Sequence, residues 1–211
     1  MEKYLVSAVI GYLLGSIPTA YLVLKKKGLD ITKEGSGNVG TLNSYEVSNS
    51  KLIGIFVFAI DLLKGIFSVL IVKLLFGNLF IFPMVALVFA VIAHCYNPWI
   101  KFKGGKGLAA AAGGSLFLIP QILILWIIFW IALYLYKRNI QVANAFACLL
   151  VGLLAFSTSG ILNNFSTPPA KSNIFFGTSI VFLFLIIISK HIFPLKEYFE
   201  EQSKKIRNHE K

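Results

Sequence analysis

The sequence predicts an all-α, polytopic membrane protein with about seven transmembrane helices, an outside N-terminus and a cytoplasmic C-terminus. Three observations lead to this fold class. Hydrophobic residues make up 57% of the 211 residues, charged residues only 14%, and the mean hydropathy is +0.78. Apolar stretches of helical length recur along the whole chain, and the basic residues are concentrated between or after them. Helices are expected because lipid offers no partner for backbone N–H and C=O groups.

A crossing of the hydrocarbon layer needs about 20 apolar helical residues. The first apolar stretch is followed by three lysines and has no small-residue cleavage site, so we expect it to remain as a helix rather than act as a signal peptide. The fourth and fifth stretches are short and are expected to be tilted, re-entrant or buried, with Pro120 ending one helix and beginning the next. The seven stretches are 4–24, 52–76, 81–98, 108–119, 121–136, 140–162 and 174–189.

The distribution of cations predicts the orientation, because cytoplasmic loops are enriched in Lys and Arg. Sixteen of the 20 Lys and Arg residues lie in four segments: 25–51, 101–106, 137–138 and 190–211. All four fall on one side only if the N-terminus is outside and an even number of crossings separates Lys106 from Lys137. The fourth and fifth stretches provide that pair. No repeat or low-complexity linker divides the chain, so residues 1–211 are expected to form one membrane-embedded domain with a basic cytoplasmic tail at 190–211.

The formal net charge of +11 is compatible with three kinds of partner: nucleic acid, an anionic membrane surface or an anionic substrate. The high hydropathy makes nucleic acid the least expected of these. Cys95 and Cys148 lie in apolar stretches without Cys-x-x-Cys spacing, so neither a disulfide framework nor a zinc site is predicted. No other metal-ligand pattern is present, and no metal or cofactor is expected.

The first basic loop contains a glycine-rich run whose members are Gly35, Ser36, Gly37, Asn38 and Gly40. Such a run can expose backbone N–H groups to a phosphate, and Ser36 and Asn38 add side-chain donors. A turn that binds no ligand also uses Gly, Ser and Asn, so this loop by itself leaves both interpretations open.

The second basic loop, FKGGKG at 102–107, leads directly into the alanine-rich fourth stretch. Backbone donors at a helix N-terminus, together with the charges of Lys103 and Lys106, favour an anion site. The alternative is a basic anchor at the lipid headgroups, which does not account for Gly104, Gly105 and Gly107.

Three other polar features are expected to be mainly structural. Asp61 and Lys64 share one face of the second helix and should pair, because charges are costly within a bilayer. His94 and His191 lie near helix ends, where hydrogen-bonding roles are common.

Taken in order, Gly15-Ser16-Ile17-Pro18, the GSGNVG run, Asp61-Leu-Leu-Lys-Gly65, His94 and FKGGKG resemble the bacterial acyl-phosphate:glycerol-3-phosphate acyltransferase family. The resemblance is close over about the first half of the chain and mainly topological over the second. It implies seven membrane helices and an acyltransferase that moves an acyl group from acyl phosphate to glycerol-3-phosphate. The product is lysophosphatidic acid, for phospholipid synthesis, and no cofactor is implied. The enzyme would lie in the cell (inner) membrane, among membrane lipids, with its active-site loops on the cytoplasmic side.

The resemblance also implies site residues. Ser36, Lys106 and His191 are the expected catalytic residues. The expected phosphate-binding residues combine positions matched to the family with neighbours in the same loops and the nearby cation Arg138. They are Gly35, Gly37, Asn38, Gly40, Asn43, Lys103, Gly104, Gly105, Gly107 and Arg138.

The chain departs from the family pattern at several positions. Glu46 stands where the pattern has arginine, Gln141 and Asn144 replace two serines, and Pro194 replaces an asparagine. These changes leave an alternative open, namely a non-catalytic or altered-substrate homologue that binds phosphorylated lipid precursors. A small-anion transporter is a third alternative, but only Asp61 and Lys64 could line an ion path.

Overall fold

The computed structural model describes residues 1–77 and 79–209, so Lys211 of the basic tail lies outside the described residues. Within those ranges the regular structure is entirely helical, which confirms the all-α fold class. The α-helices are α1 (Glu2–Gly15), α2 (Thr19–Lys25), α3 (Thr41–Ser48), α4 (Lys51–Phe76), α5 (Ile81–Cys95), α6 (Leu108–Leu118), α7 (Pro120–Lys137), α8 (Ile140–Ser157), α9 (Ser159–Leu162), α10 (Asn173–Ser189) and α11 (Ile192–His209). Short 3₁₀ turns lie at Pro98–Ile100 and Asn163–Phe165.

Among the described residues, five helical segments are long and apolar enough to cross a membrane. A sixth results if α10 and α11, which are bent by 56°, form one broken span. The prediction that the fifth apolar stretch is short was wrong, because Pro120 begins an 18-residue helix that continues to Lys137. The fourth stretch is short as predicted, since α6 has 11 residues. The count of seven crossings stays a prediction.

The first apolar stretch is divided into α1 and α2 by a break at Ser16–Pro18. Pro18 has no N–H, so the break leaves backbone carbonyls without helical partners. Asn97 Nδ2 donates to the Ser16 carbonyl at 2.7 Å, and Lys64 Nζ donates to the Ile17 carbonyl at 2.7 Å. Lys64 Nζ also lies 2.5 Å from Asp61 Oδ1, and both side chains are buried. The Asp61–Lys64 pair is therefore engaged in holding α4 against this break.

Glycines allow the central helices to approach at backbone distance. A Cβ at Gly65 in α4 would lie 1.8 Å from the Ala110 carbonyl oxygen in α6, and one at Gly113 would lie 2.0 Å from the Leu62 carbonyl oxygen. A Cβ at Gly11 in α1 would lie 2.0 Å from the Ala86 carbonyl oxygen in α5. Such small-residue contacts pack helices in lipid, where the hydrophobic effect gives little attraction between them.

Gly65→Ala should lower the melting temperature in detergent by about 5 to 10 °C, because the new methyl group meets backbone that cannot move aside and overpacking costs about 2 to 3 kcal/mol. Gly152→Ala in α8 is the matched control, since its nearest contact would be Phe184 Cδ2 at 3.6 Å. Thermal unfolding of the two purified variants measures the difference. Equal melting temperatures would contradict the close α4–α6 contact.

The packed helices have two ends that differ in structure. At one end, Lys73 Nζ donates to the carbonyls of Phe117 and Thr167, and Thr167 N donates to the Leu118 carbonyl. At the other end, the two glycine-rich loops, the start of α8 and the start of α11 meet around an open cleft. This second end also contains α3, a helix that hydropathy did not predict because its residues are mostly polar.

Candidate functional site

The cleft at the loop end has a volume of about 600 Å³. Two of its walls are the glycine-rich basic loops at 35–40 and 102–107, and the others come from the α7–α8 turn and from α11. Seven predicted site residues line it: Gly35, Ser36, Gly37, Asn38, Lys103, Gly104 and Lys106. The fold therefore brings together the two loops that are separated by more than 60 residues of sequence.

The first loop is organised by Asn43, whose side chain is buried at the start of α3. Asn43 Oδ1 accepts a hydrogen bond from Ser36 N at 2.9 Å. Its Nδ2 donates to the carbonyls of Glu34 and Asn38 at 3.1 and 3.0 Å, and to that of Ile31 at 3.4 Å. Because its amide is already bonded within the loop, Asn43 acts on the site by fixing the backbone from which Ser36 and Asn38 extend.

The second loop lies against the C-terminal end of α5. Gly105 N donates to the His94 carbonyl at 3.2 Å, and a Cβ at Gly104 would lie 2.1 Å from that same carbonyl oxygen. Lys101 and Phe102 adopt left-handed backbone angles, with φ of 56° and 59°. The two glycines are thus needed for close packing against α5. The resulting backbone conformation directs Lys103 and Lys106 toward the cleft.

Lys106 lies between the cleft and a second cavity. The smaller cavity has a volume of about 200 Å³ and combines polar groups with apolar ones, including Phe58, Leu108 and Ile140. The ammonium group of Lys106 donates to Gln141 Oε1. Burial lowers the pKa of Lys106 to about 8, against the opposing effect of the Glu46 carboxylate nearby. Lys106 is therefore a partly desolvated cation, which binds an anion more strongly than an exposed lysine does.

The remaining predicted residues lie around these cavities. Gly40 and Gly107 line the smaller cavity, and Gly107 begins α6 with a φ of 82°. Arg138 is exposed, ends α7 in a left-handed conformation and lines neither cavity. His191 is fully buried behind the cleft, with Nδ1 2.9 Å from the Ile187 carbonyl and no hydrogen-bond partner for Nε2 in the described structure.

Gln141 lines both cavities, although it is not among the site residues predicted from the sequence. The same holds for Glu197, Tyr198 and Glu201, which α11 directs into the cleft. Two signals were available for Gln141: its place at a serine position of the family pattern, and its position in the first turn of a helix that follows a basic loop. No local signal indicated that the basic tail folds back beside the first loop.

The sequence from residue 5 to residue 200 matches the family model described as glycerol-3-phosphate acyltransferase. The chain belongs to the glycerol-3-phosphate acyltransferase family. A family member from Helicobacter acinonychis (strain Sheeba) is 30% identical over 212 residues, which cover 93% of this chain and 92% of that protein. A member from Moorella thermoacetica is 34% identical over 152 residues, which cover 72% of this chain and 77% of that protein.

Solved structures agree with the family assignment. The chain resembles the crystal structure of PlsY, an integral membrane glycerol 3-phosphate acyltransferase, in its glycerol 3-phosphate form, with a TM-score of 0.72 and 27% identity. That comparison covers 96% of this chain and 92% of PlsY. The lysophosphatidic acid form of PlsY gives a TM-score of 0.74. With its apolar helices, this acyltransferase family member is a multi-pass membrane protein.

Proposed function

We propose that this chain transfers an acyl group from acyl phosphate to glycerol-3-phosphate and releases lysophosphatidic acid and phosphate. The observation that supports this most directly is the cleft in which Ser36, Asn38, Lys103 and Lys106 converge beside a partly apolar cavity. The relatives are named glycerol-3-phosphate acyltransferases, and PlsY was solved with forms named for glycerol 3-phosphate and lysophosphatidic acid.

In the proposed reaction, a glycerol hydroxyl oxygen attacks the acyl carbonyl carbon, so that a C–O ester bond forms and the C–O bond to phosphate breaks. The hydroxyl proton leaves with the phosphate. The protein must hold two phosphate-bearing molecules close together, which requires neutralised charge and fixed orientation. Lys103 and Lys106 provide the charge, and the first loop provides donors from Ser36 and Asn38.

His191 takes a different part in this proposal from the one expected from the sequence. It is fully buried, does not line the cleft and is neutral near pH 7, because burial, and to a lesser extent the nearby Lys106 cation, lowers its pKa to about 4. We therefore assign it a positioning role behind Lys106, while Ser36 and Lys106 contact the substrates.

We propose further that the chain lies in the inner membrane with the cleft on the cytoplasmic side, an outside N-terminus and seven crossings. The cation-rich loops around the cleft support this orientation. Cysteines introduced at Ser48 and Ser172 test it in intact cells: only Ser172→Cys should react with an impermeant thiol reagent added outside. The reverse pattern would contradict the orientation.

The experiment that tests the function uses the purified protein with acyl phosphate and glycerol-3-phosphate. Phosphate release and lysophosphatidic acid formation should both depend on glycerol-3-phosphate. Binding of glycerol-3-phosphate without any turnover would instead support the non-catalytic homologue.

The rate should fall at alkaline pH because of Lys106. Since burial lowers its pKa to about 8, this cation loses its charge well below the ordinary lysine value of 10.5. A neutral amine binds phosphate weakly, so kcat/KM should decrease as the pH rises through about 8. The pH dependence of kcat/KM reports pKa values of the free enzyme, in which Lys106 has no bound substrate. In Lys106→Arg, whose guanidinium stays charged, the decrease should move beyond pH 10. A pH profile that is identical in both proteins would contradict this origin.

A further inference from the structure

One wall of the cleft carries negative charge, whereas the other charged residues that line the cleft are cations. The face of α11 toward the cleft consists of Phe193, Pro194, Glu197, Tyr198 and Glu201. Glu197 and Glu201 are four residues apart, so their carboxylates lie one helical turn from each other on the same face. The cations in the same cleft are Lys103, Lys106 and Lys190.

These carboxylates are not engaged in ion pairs with the cleft lysines. Among the described residues, the ion pair made by α11 joins Lys196 and Glu200 at 3.9 Å, and neither of these two residues lines the cleft. Both cleft carboxylates therefore keep their acceptor oxygens available to a molecule that enters the cleft. A site that binds only phosphate would gain nothing from them, because a carboxylate repels a second anion.

A molecule that is anionic at one end and rich in hydroxyl groups at the other matches this arrangement. Its phosphate would meet Lys103 and Lys106, while its hydroxyls would donate hydrogen bonds to carboxylate oxygens, which can only accept. We propose that Glu197 and Glu201 select the acceptor. They accept hydrogen bonds from the glycerol hydroxyls and exclude acceptors that have an anionic group in place of a hydroxyl. This inference rests on the proposed acyl transfer.

The probe that tests the selection is 3-phosphoglycerate, which has a carboxylate where glycerol-3-phosphate has its terminal hydroxymethyl group. In the wild type it should inhibit weakly, because its carboxylate meets Glu197 and Glu201. In the double variant Glu197→Gln/Glu201→Gln, the ratio of the inhibition constant of 3-phosphoglycerate to the KM of glycerol-3-phosphate should fall about tenfold, as expected when the like-charge repulsion from two exposed carboxylates is removed. Glutamine retains the size of glutamate and its acceptor oxygen, so the helix should be preserved.

Glu200→Gln is the control, since it removes one negative charge from the same helix on a side that does not line the cleft. Its ratio should equal that of the wild type. An unchanged ratio in the double variant, or an equal fall in Glu200→Gln, would overturn the selection.

A failure of the acyl transfer itself would be recognised separately, as an absence of lysophosphatidic acid with the wild type. The carboxylates would then be tested by displacement of labelled glycerol-3-phosphate from the protein. In this assay, 3-phosphoglycerate should displace glycerol-3-phosphate from the double variant at about tenfold lower concentration than from the wild type or from Glu200→Gln. Equal competition in all three proteins, or no binding of glycerol-3-phosphate, would overturn the inference.

Discussion

Replacing Lys106 by glutamine should reduce acyl transfer by about 10- to 100-fold, which corresponds to the loss of one charged hydrogen bond of roughly 1.5 to 3 kcal/mol. Lys106 is the partly buried cation of the second loop and lies where the two cavities meet. Its hydrogen-bond partner Gln141 carries no charge and therefore does not compensate for the lost ammonium. The loss should appear as weaker binding of phosphate-bearing substrates and as slower phosphate release.

Lys101→Gln is the control for this variant. Lys101 has the same charge and belongs to the same loop, but its side chain is exposed and lines neither cavity. It should retain nearly the full rate. If Lys106→Gln folds normally and binds inorganic phosphate as tightly as the wild type, Lys106 is a lipid anchor and the phosphate site lies elsewhere.

Asn43→Asp should reduce the rate by about 100-fold, although Asn43 does not line the cleft. The carboxylate keeps an acceptor for Ser36 N but loses all three bonds that Nδ2 donates to loop carbonyls. It also brings a buried negative charge beside those carbonyl oxygens. Each unsatisfied buried group costs about 1 to 3 kcal/mol, so the first loop should abandon its conformation and displace Ser36 and Asn38.

Asn49→Asp provides the comparison, since Asn49 is an exposed residue that ends the same helix, α3. It should leave both the rate and the proteolytic sensitivity of the first loop unchanged. In Asn43→Asp, protease should cut between residues 31 and 40 much faster, while the melting temperature changes little. A fast Asn43→Asp enzyme with a protected loop would show that Asn43 does not organise the site.

The prediction that the two loops handle phosphate rests on local signals. Glycine spacing and neighbouring lysines are local signals in both 35–40 and 102–107, and a predicted helix directly follows 102–107. What these residues do individually was less predictable. Asn43 was expected to bind phosphate, yet its amide is bonded to the loop backbone. Gly104 and Gly105 were expected to bind phosphate, yet Gly105 N donates to the His94 carbonyl and both glycines allow the loop to lie against α5.

The sequence by itself determined the all-α membrane class, since hydropathy and the need to pair backbone groups in lipid act within each segment. It also determined that cations gather in a few loops, and it identified the family through motifs in a fixed order. Only the tertiary structure decided which side chains meet. The Lys106–Gln141 contact spans 35 residues of sequence, His191 is fully buried instead of lining the cleft, and α11 adds Glu197 and Glu201 to the cleft. The physical reason is that such contacts depend on how helices pack and where they bend, as at the turn between α10 and α11, and no single stretch of sequence specifies either.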